Sequence, residues 1–208
     1  MRPGSDGLRQ LLADAWERWA RRCAELTPDQ WSTPTRCRPW DVAALLAHVC
    51  PTAAMFDELD AARIDEDALV TDAAELLRRF NAPGGVAHTG ADDLADQAVA
   101  DAAGLTPEAA ASRFSECAQI LRSAPIADDV VLRYPVVGST TMKVIAEVAL
   151  MEATVHLLDL ADAVGGIEPS PEALAAVRDL LIAVPDPTAA VEVLAGRAAP
   201  AAAVPAIR

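Results

Sequence analysis

The sequence predicts an all-α protein, a bundle of helices with at most one small β-hairpin. Three observations carry that expectation. Apolar residues recur at helical spacing over most of the chain, as in Leu8, Leu11, Leu12, Trp16, Trp19 and Cys23. Alanine, the best helix former, fills 46 of 208 positions. Only the run Val130–Tyr134 has the β-branched and aromatic character of a strand. With 52% hydrophobic residues the chain can bury a full core, and its length suits one ordinary domain.

The first helix is expected from Leu8 to Leu26, followed by a short turn from Thr27-Pro28 to Trp31 and a polar loop over residues 32–39. A second helix starts near Trp40-Asp41, with Asp41 as N-cap or first-turn acid. Its stripe is Val42, Leu45, Leu46 and Val49, and it runs towards Leu59, kinked or broken at Pro51. A third amphipathic helix spans 65–80, and Asn81-Ala82-Pro83-Gly84-Gly85 opens a loop over 81–91. Residues 92–103 are weakly helical in pattern. Thr106 suits an N-cap and Pro107 the first position of a helix reaching Ser123. The strand Val130–Tyr134 is followed by a second short one over Pro135–Gly138. A long helix then runs from Thr141 to Val164 and stops at Gly165-Gly166. A closing helix over 171–183 precedes a Pro/Ala-rich tail. The expected division is a helical bundle over 1–168, with residues 169–208 packing on it as an extra helix and tail.

Seventeen basic residues against 31 acidic ones give a net charge of −14, which repels nucleic acid unless one face is locally basic. The one dense basic cluster, Arg18, Arg21 and Arg22, reads as a solvated face. No apolar run reaches the roughly 18–20 residues that cross a bilayer, and the first residues lack the apolar stretch of a signal peptide. The expected setting is cytoplasmic, without a membrane or nucleic-acid partner. Lys143 is the only lysine beside many Ala, Arg, Pro and Gly residues, a bias of GC-rich, actinobacterial-type genomes. The four cysteines, Cys23, Cys37, Cys50 and Cys117, form no C-x-x-C pair and read as reduced thiols.

Chemistry concentrates in the long helix near the end. Glu152 is four residues past Val148, His156 four past Glu152, and Asp159 three past His156. All three polar side chains therefore lie along the apolar face. A carboxylate facing a core costs several kcal/mol unless neutralised or paired. His48 borders the apolar stripe of the second helix. Facing helices of a bundle build inward metal sites from such positions. Two His and one carboxylate suit zinc or another divalent metal and leave a fourth position open. Asp159 could hold a ligand imidazole through its other nitrogen. Each part also has an ordinary reading: a core histidine for His48, and a plain i, i+4 helix contact for Glu152 and His156.

The stretch Leu26-Thr27-Pro28-Asp29-Gln30-Trp31 … Pro34-Thr35-Arg36-Cys37 … Trp40-Asp41-Val42 … Leu45-Leu46-Ala47-His48-Val49 resembles the N-terminal signature of the mycothiol-dependent maleylpyruvate isomerase family of DinB-like metalloenzymes. Glu152-Ala153-Thr154-Val155-His156-Leu157-Leu158-Asp159-Leu160 resembles its second signature, and Gly196-Arg197 a frequent tail element. The likeness spans residues 8–197. Asp41 stands where the family commonly has Ser or Thr. The resemblance implies a four-helix, up-down-down-up bundle holding one divalent metal, usually zinc, on His48, Glu152 and His156. It further implies that the metal binds a low-molecular-weight thiol such as mycothiol as thiolate, which attacks a small electrophilic substrate.

The activity expected is therefore that of a metal-dependent thiol S-transferase or thiol-assisted isomerase, with Glu152 central and the protein a monomer or homodimer. Arg78, Arg79 and Arg133 are candidates for gripping a carboxylate of the thiol or the substrate. Tyr134 is a candidate proton donor. The alternatives are a metalloenzyme of specialised biosynthesis that uses no thiol, or a non-catalytic small-molecule-binding member of the fold.

Overall fold

A computed structural model describes residues 5–123 and 126–204. Its elements in chain order are α1 (Ser5–Glu25), α2 (Pro28–Trp31), α3 (Val42–Val49), α4 (Ala54–Ala61), α5 (Ala73–Asn81), α6 (Val86–Thr89), α7 (Ala91–Ala102) and α8 (Pro107–Ser123). A two-stranded hairpin, β1 (Val131–Tyr134) and β2 (Gly138–Thr141), leads into α9 (Met142–Val164), α10 (Pro171–Ile182), α11 (Pro187–Leu194) and a single 3₁₀ turn, Pro200–Ala202. The fold is an all-α, DinB-like bundle with one short hairpin.

The core is built on α1 and α9. Helix α1 packs along α8 and α9, α3 packs against α7 and α9, and α10 lies on α9 and α1. Trp19 of α1 is fully buried. Its ring stacks on Phe114 of α8 at 5.4 Å between centroids, and its Nε1 donates to the Ala153 carbonyl of α9 at 2.8 Å. One side chain thus joins three helices beside Glu152. Burying an aromatic of this size is a major part of the stability of a small core.

Helix ends follow their capping residues. Asp41 caps α3 by accepting from Ala44 N at 2.9 Å, so α3 starts at Val42 and brings His48 to its last turn. The second helix is broken, not kinked: α3 ends at Val49, and α4 begins three residues past Pro51. The stretch Val42–Ala61 has the length and composition of a membrane span, contrary to the sequence expectation of none, yet it folds as these two helices and a third of it is buried.

Five expectations need correction. Residues 65–72 are not helical. They form a strap along the hairpin, with Val70 bridged to Thr140 and Leu69 N donating to Ser139 Oγ at 3.0 Å. Helix α5 waits for the Asp72 cap, which accepts from Glu75 N. The second strand is Gly138–Thr141, because Pro135-Val136-Val137 make the turn, and Gly138 at φ +86° restarts the ladder opposite Tyr134. The loop over 81–91 contains the short α6, and the tail forms α11 and the 3₁₀ turn before it passes beyond Val204, outside the described residues. Arg22 is no solvated residue. It is 4% exposed and donates to the Val164 and Gly165 carbonyls at 3.1 and 3.0 Å, closing the end of α9. A Cβ on Gly166 would meet that guanidinium at 2.3 Å, so the sharp stop of α9 requires glycine there.

Candidate metal centre

Helices α3 and α9 bring the two signature segments together. Glu152 Oε2 lies 3.6 Å from His48 Nε2 and 3.2 Å from His156 Nε2. The two imidazole rings are 5.2 Å apart and nearly perpendicular. The three donor atoms lie within 4.8 Å of one another. Both histidines are largely buried, whereas the Glu152 side chain is 41% exposed, so the cluster has one face open to solvent.

The far side of His156 is closed. Its Nδ1 is 2.8 Å from Asp159 Oδ2. The same oxygen accepts from Cys37 Sγ at 3.1 Å, and Asp159 Oδ1 accepts from Arg36 Nε at 2.6 Å. Cys37, His156 and Asp159 therefore form a second group of potential ligands that shares His156 with the first. The loop bearing Arg36 and Cys37 is held by Thr35, whose backbone N and Oγ1 both donate to the Trp40 carbonyl, at 3.0 and 2.8 Å. Thr35 Oγ1 also accepts from Cys37 N at 3.1 Å. Trp40 is buried. Its ring covers His48 at 4.7 Å, and its Nε1 donates to the Ala95 carbonyl of α7.

The electrostatics follow from these contacts. Burial pushes Glu152 up, but the two histidines outweigh it and hold the carboxyl down to about 2. Burial likewise opposes charge on His156, yet hydrogen bonds with Asp159, Cys37 and Glu152 push it up to about 11. Against the same effect of burial, hydrogen bonds from His156, Cys37 and Arg36 hold Asp159 down to about 2. Two carboxylates thus flank one imidazole, and the cluster favours a positive charge between them.

The remaining candidates are placed as follows. Tyr134 is half-buried on β1 and stacks on Phe80 at 6.1 Å. Burial and then the charge of Glu152 push its hydroxyl up, which ties Tyr134 electrostatically to the cluster. Arg133, its neighbour on β1, is exposed. Arg78 is tied elsewhere: its Nη1 donates to the Ala183 carbonyl just past α10 at 2.8 Å. Arg79 pairs with Glu75 one turn back on α5 at 2.5 Å. The third histidine of the chain, His88, is no part of the cluster: it is exposed and its ring contacts the Asn81 carbonyl.

Residue pattern alone does not single out Arg36, and in sequence Cys37 reads as one of four reduced thiols. Both stand in the quoted loop signature, next to Thr35, but nothing periodic links that loop to a helix residue more than 120 positions further on. The other cysteines lie elsewhere. Burial pushes the Cys23 thiol strongly up, Cys50 up to about 12 and Cys117 up to about 11.

Comparison with known families places these observations. Residues 12–161, a span that contains the Thr35–Trp40 loop, His48, Glu152, His156 and Asp159, match the family described as mycothiol maleylpyruvate isomerase N-terminal domain. No curated protein and no solved structure matches the chain. With well over half of its length matched, the chain belongs to the mycothiol maleylpyruvate isomerase N-terminal domain family.

Proposed function

We propose that the chain is a metal-dependent enzyme in which His48, Glu152 and His156 hold one divalent cation, with zinc best suited to the donors. In this reading a low-molecular-weight thiol of the mycothiol type attacks a small electrophile, as in an S-transferase or a thiol-assisted isomerase. The observation that carries it is the convergence of two imidazole Nε2 atoms and one carboxylate oxygen on a cluster with one open face. The donor set fits the group: two nitrogens and one oxygen make a catalytic-type trio. The pull that holds His156 charged is the same field that would hold a cation. When bound, the metal supplies stabilisation of thiolate over thiol at neutral pH.

The chain's own residues do the rest. Asp159 holds Nδ1 of His156, which turns Nε2 towards Glu152. Trp40 shields His48 from water. Tyr134, close enough to feel Glu152, keeps a proton on its hydroxyl for transfer to substrate. Of the three arginines expected to grip a carboxylate, Arg78 and Arg79 are engaged elsewhere, which leaves Arg133, exposed on β1, as the candidate for that role. A protein-thiol nucleophile is disfavoured: burial suppresses ionisation of Cys23, Cys50 and Cys117, and Cys37 Sγ is engaged in a hydrogen bond to Asp159.

Elemental analysis of protein purified without added metal should find one divalent ion per chain. Calorimetric titration of mycothiol should show binding to the zinc-loaded form and none to the apo form. A metal ratio near zero, or equal binding to both forms, overturns the proposal. Zinc retention without any mycothiol binding would move the assignment to a thiol-free metalloenzyme on the same residues.

A further inference from the structure

The loop from Thr35 to Trp40 reaches the histidine cluster at two points, the Trp40 ring and the Asp159 carboxylate. Building on the metal reading above, we propose that Arg36 and Cys37 are positioning residues for His156. They act through Asp159, by fixing the orientation of its carboxylate. Asp159 is 4% exposed. Its Oδ1 takes Arg36 Nε at 2.6 Å, and its Oδ2 takes both His156 Nδ1 at 2.8 Å and Cys37 Sγ at 3.1 Å.

A carboxylate on a helix can turn about its last torsion, and with one donor it would do so. Donors on both oxygens, supplied by adjacent residues of one tied loop, remove that freedom. The short Arg36 contact is charge-assisted and directional. The thiol is a weaker donor, but it shares the oxygen that meets His156.

The geometry separates this role from simple stapling. The Arg36 side chain is 52% exposed while that of Asp159 is 5% exposed, so the pair meets water at one end only and its loss costs a modest amount of stability. The same pair bears on an imidazole whose direction decides where its other nitrogen points. Losing an outer partner of a ligand histidine costs about 10–100-fold in metal affinity. The thiol of Cys37 is thereby a donor to Asp159, with no covalent part in the reaction.

The test uses full-length protein and two readouts. One is zinc affinity from competition with a chromogenic chelator. The other is the low-field Nδ1 proton of His156 in the metal-free protein, followed by NMR for its exchange with water. Arg36→Gln should weaken zinc binding about tenfold, the low end of that range. Cys37→Ala should weaken it roughly threefold, as befits a weak donor, and Cys37→Ser, which keeps a donor, should restore it. Both weakened variants should exchange the Nδ1 proton faster, while the apo thermal midpoint falls by no more than about 2–4 °C, the equivalent of about 1 kcal/mol. Unchanged affinity and exchange in Arg36→Gln and Cys37→Ala would overturn the inference. So would losses that track a larger fall in the apo midpoint, because the role would then be structural. If the wild type takes no zinc, the metal reading fails alone, and the exchange readout still decides the positioning role.

Discussion

Replacing Asp159 by Asn tests the support of His156 at its centre. The carboxylate receives three donors: Arg36 Nε on one oxygen, His156 Nδ1 and Cys37 Sγ on the other. An amide has one acceptor oxygen and one donor group. To keep His156, it must turn its NH₂ towards Arg36, donor against donor. Arg36, half exposed, swings into water at little cost. The bond to His156 survives but loses its charge-assisted strength, which is about twice that of a neutral bond. A loss of about 1.4–2.8 kcal/mol corresponds to roughly 10–100-fold in zinc affinity. Protons complicate the reading in a predictable direction. In the apo protein His156 is pushed up to about 11, so at neutral pH zinc must displace a proton from the wild type. The variant lacks one of the two carboxylate charges that hold that proton, so competition penalises it less. The measured gap should therefore widen as pH is raised. Chelator competition at pH 7, 8 and 9, with apo thermal midpoints alongside, gives the answer. Affinity within twofold of wild type at every pH would refute the reasoning. Complete loss of zinc with the fold intact would make Asp159 a ligand.

Two further outcomes follow from the same contacts. Thr154 Oγ1 is buried in α9 without a hydrogen-bond partner among the described residues. A buried unmade hydroxyl costs about 1–3 kcal/mol. Thr154→Val keeps the shape and should stabilise by about 1 kcal/mol, raising the thermal midpoint by about 2–4 °C; a lower midpoint would show that the hydroxyl is satisfied. The pH profile of the metal-free protein is set by the shifted groups. His156, raised from 6.5 to about 11, contributes stability that is complete below about pH 6.5 and lost as pH rises towards 11. Glu152 and Asp159, lowered to about 2, contribute stability present above their ordinary values near 4 and lost as pH falls towards 2. Calorimetry in chelator should therefore show a plateau between about pH 4.5 and 6.5, with declines on both sides. A midpoint still flat from pH 6.5 to 10 would contradict the charged His156.

What could be read in advance, and what could not, divides along a physical line. Glu152, His156 and Asp159 were legible because a helix converts spacing into direction: steps of four and three keep side chains on one face. The same arithmetic put His48 at the edge of the α3 stripe, and the cap at Asp41 fixed where that helix starts. Nothing comparable exists for a loop. Arg36 and Cys37 reach Asp159 because Thr35 ties its backbone and hydroxyl to Trp40, a tertiary arrangement that leaves no period in the sequence. Arg22 reads as solvated in sequence for the same reason. On α1 alone it sits among charged neighbours, and only the approach of the α9 terminus buries it against two carbonyls. The strap over 65–72 had a helical pattern, but pairing with β2 and the Asp72 cap outweighed a weak intrinsic preference. The candidate centre thus has an inner part written in helix periodicity and an outer part written in a loop. Residue types and spacing disclose which side chains could meet a metal, whereas the groups that would set how tightly it is held emerge only once the loop is seated on α9.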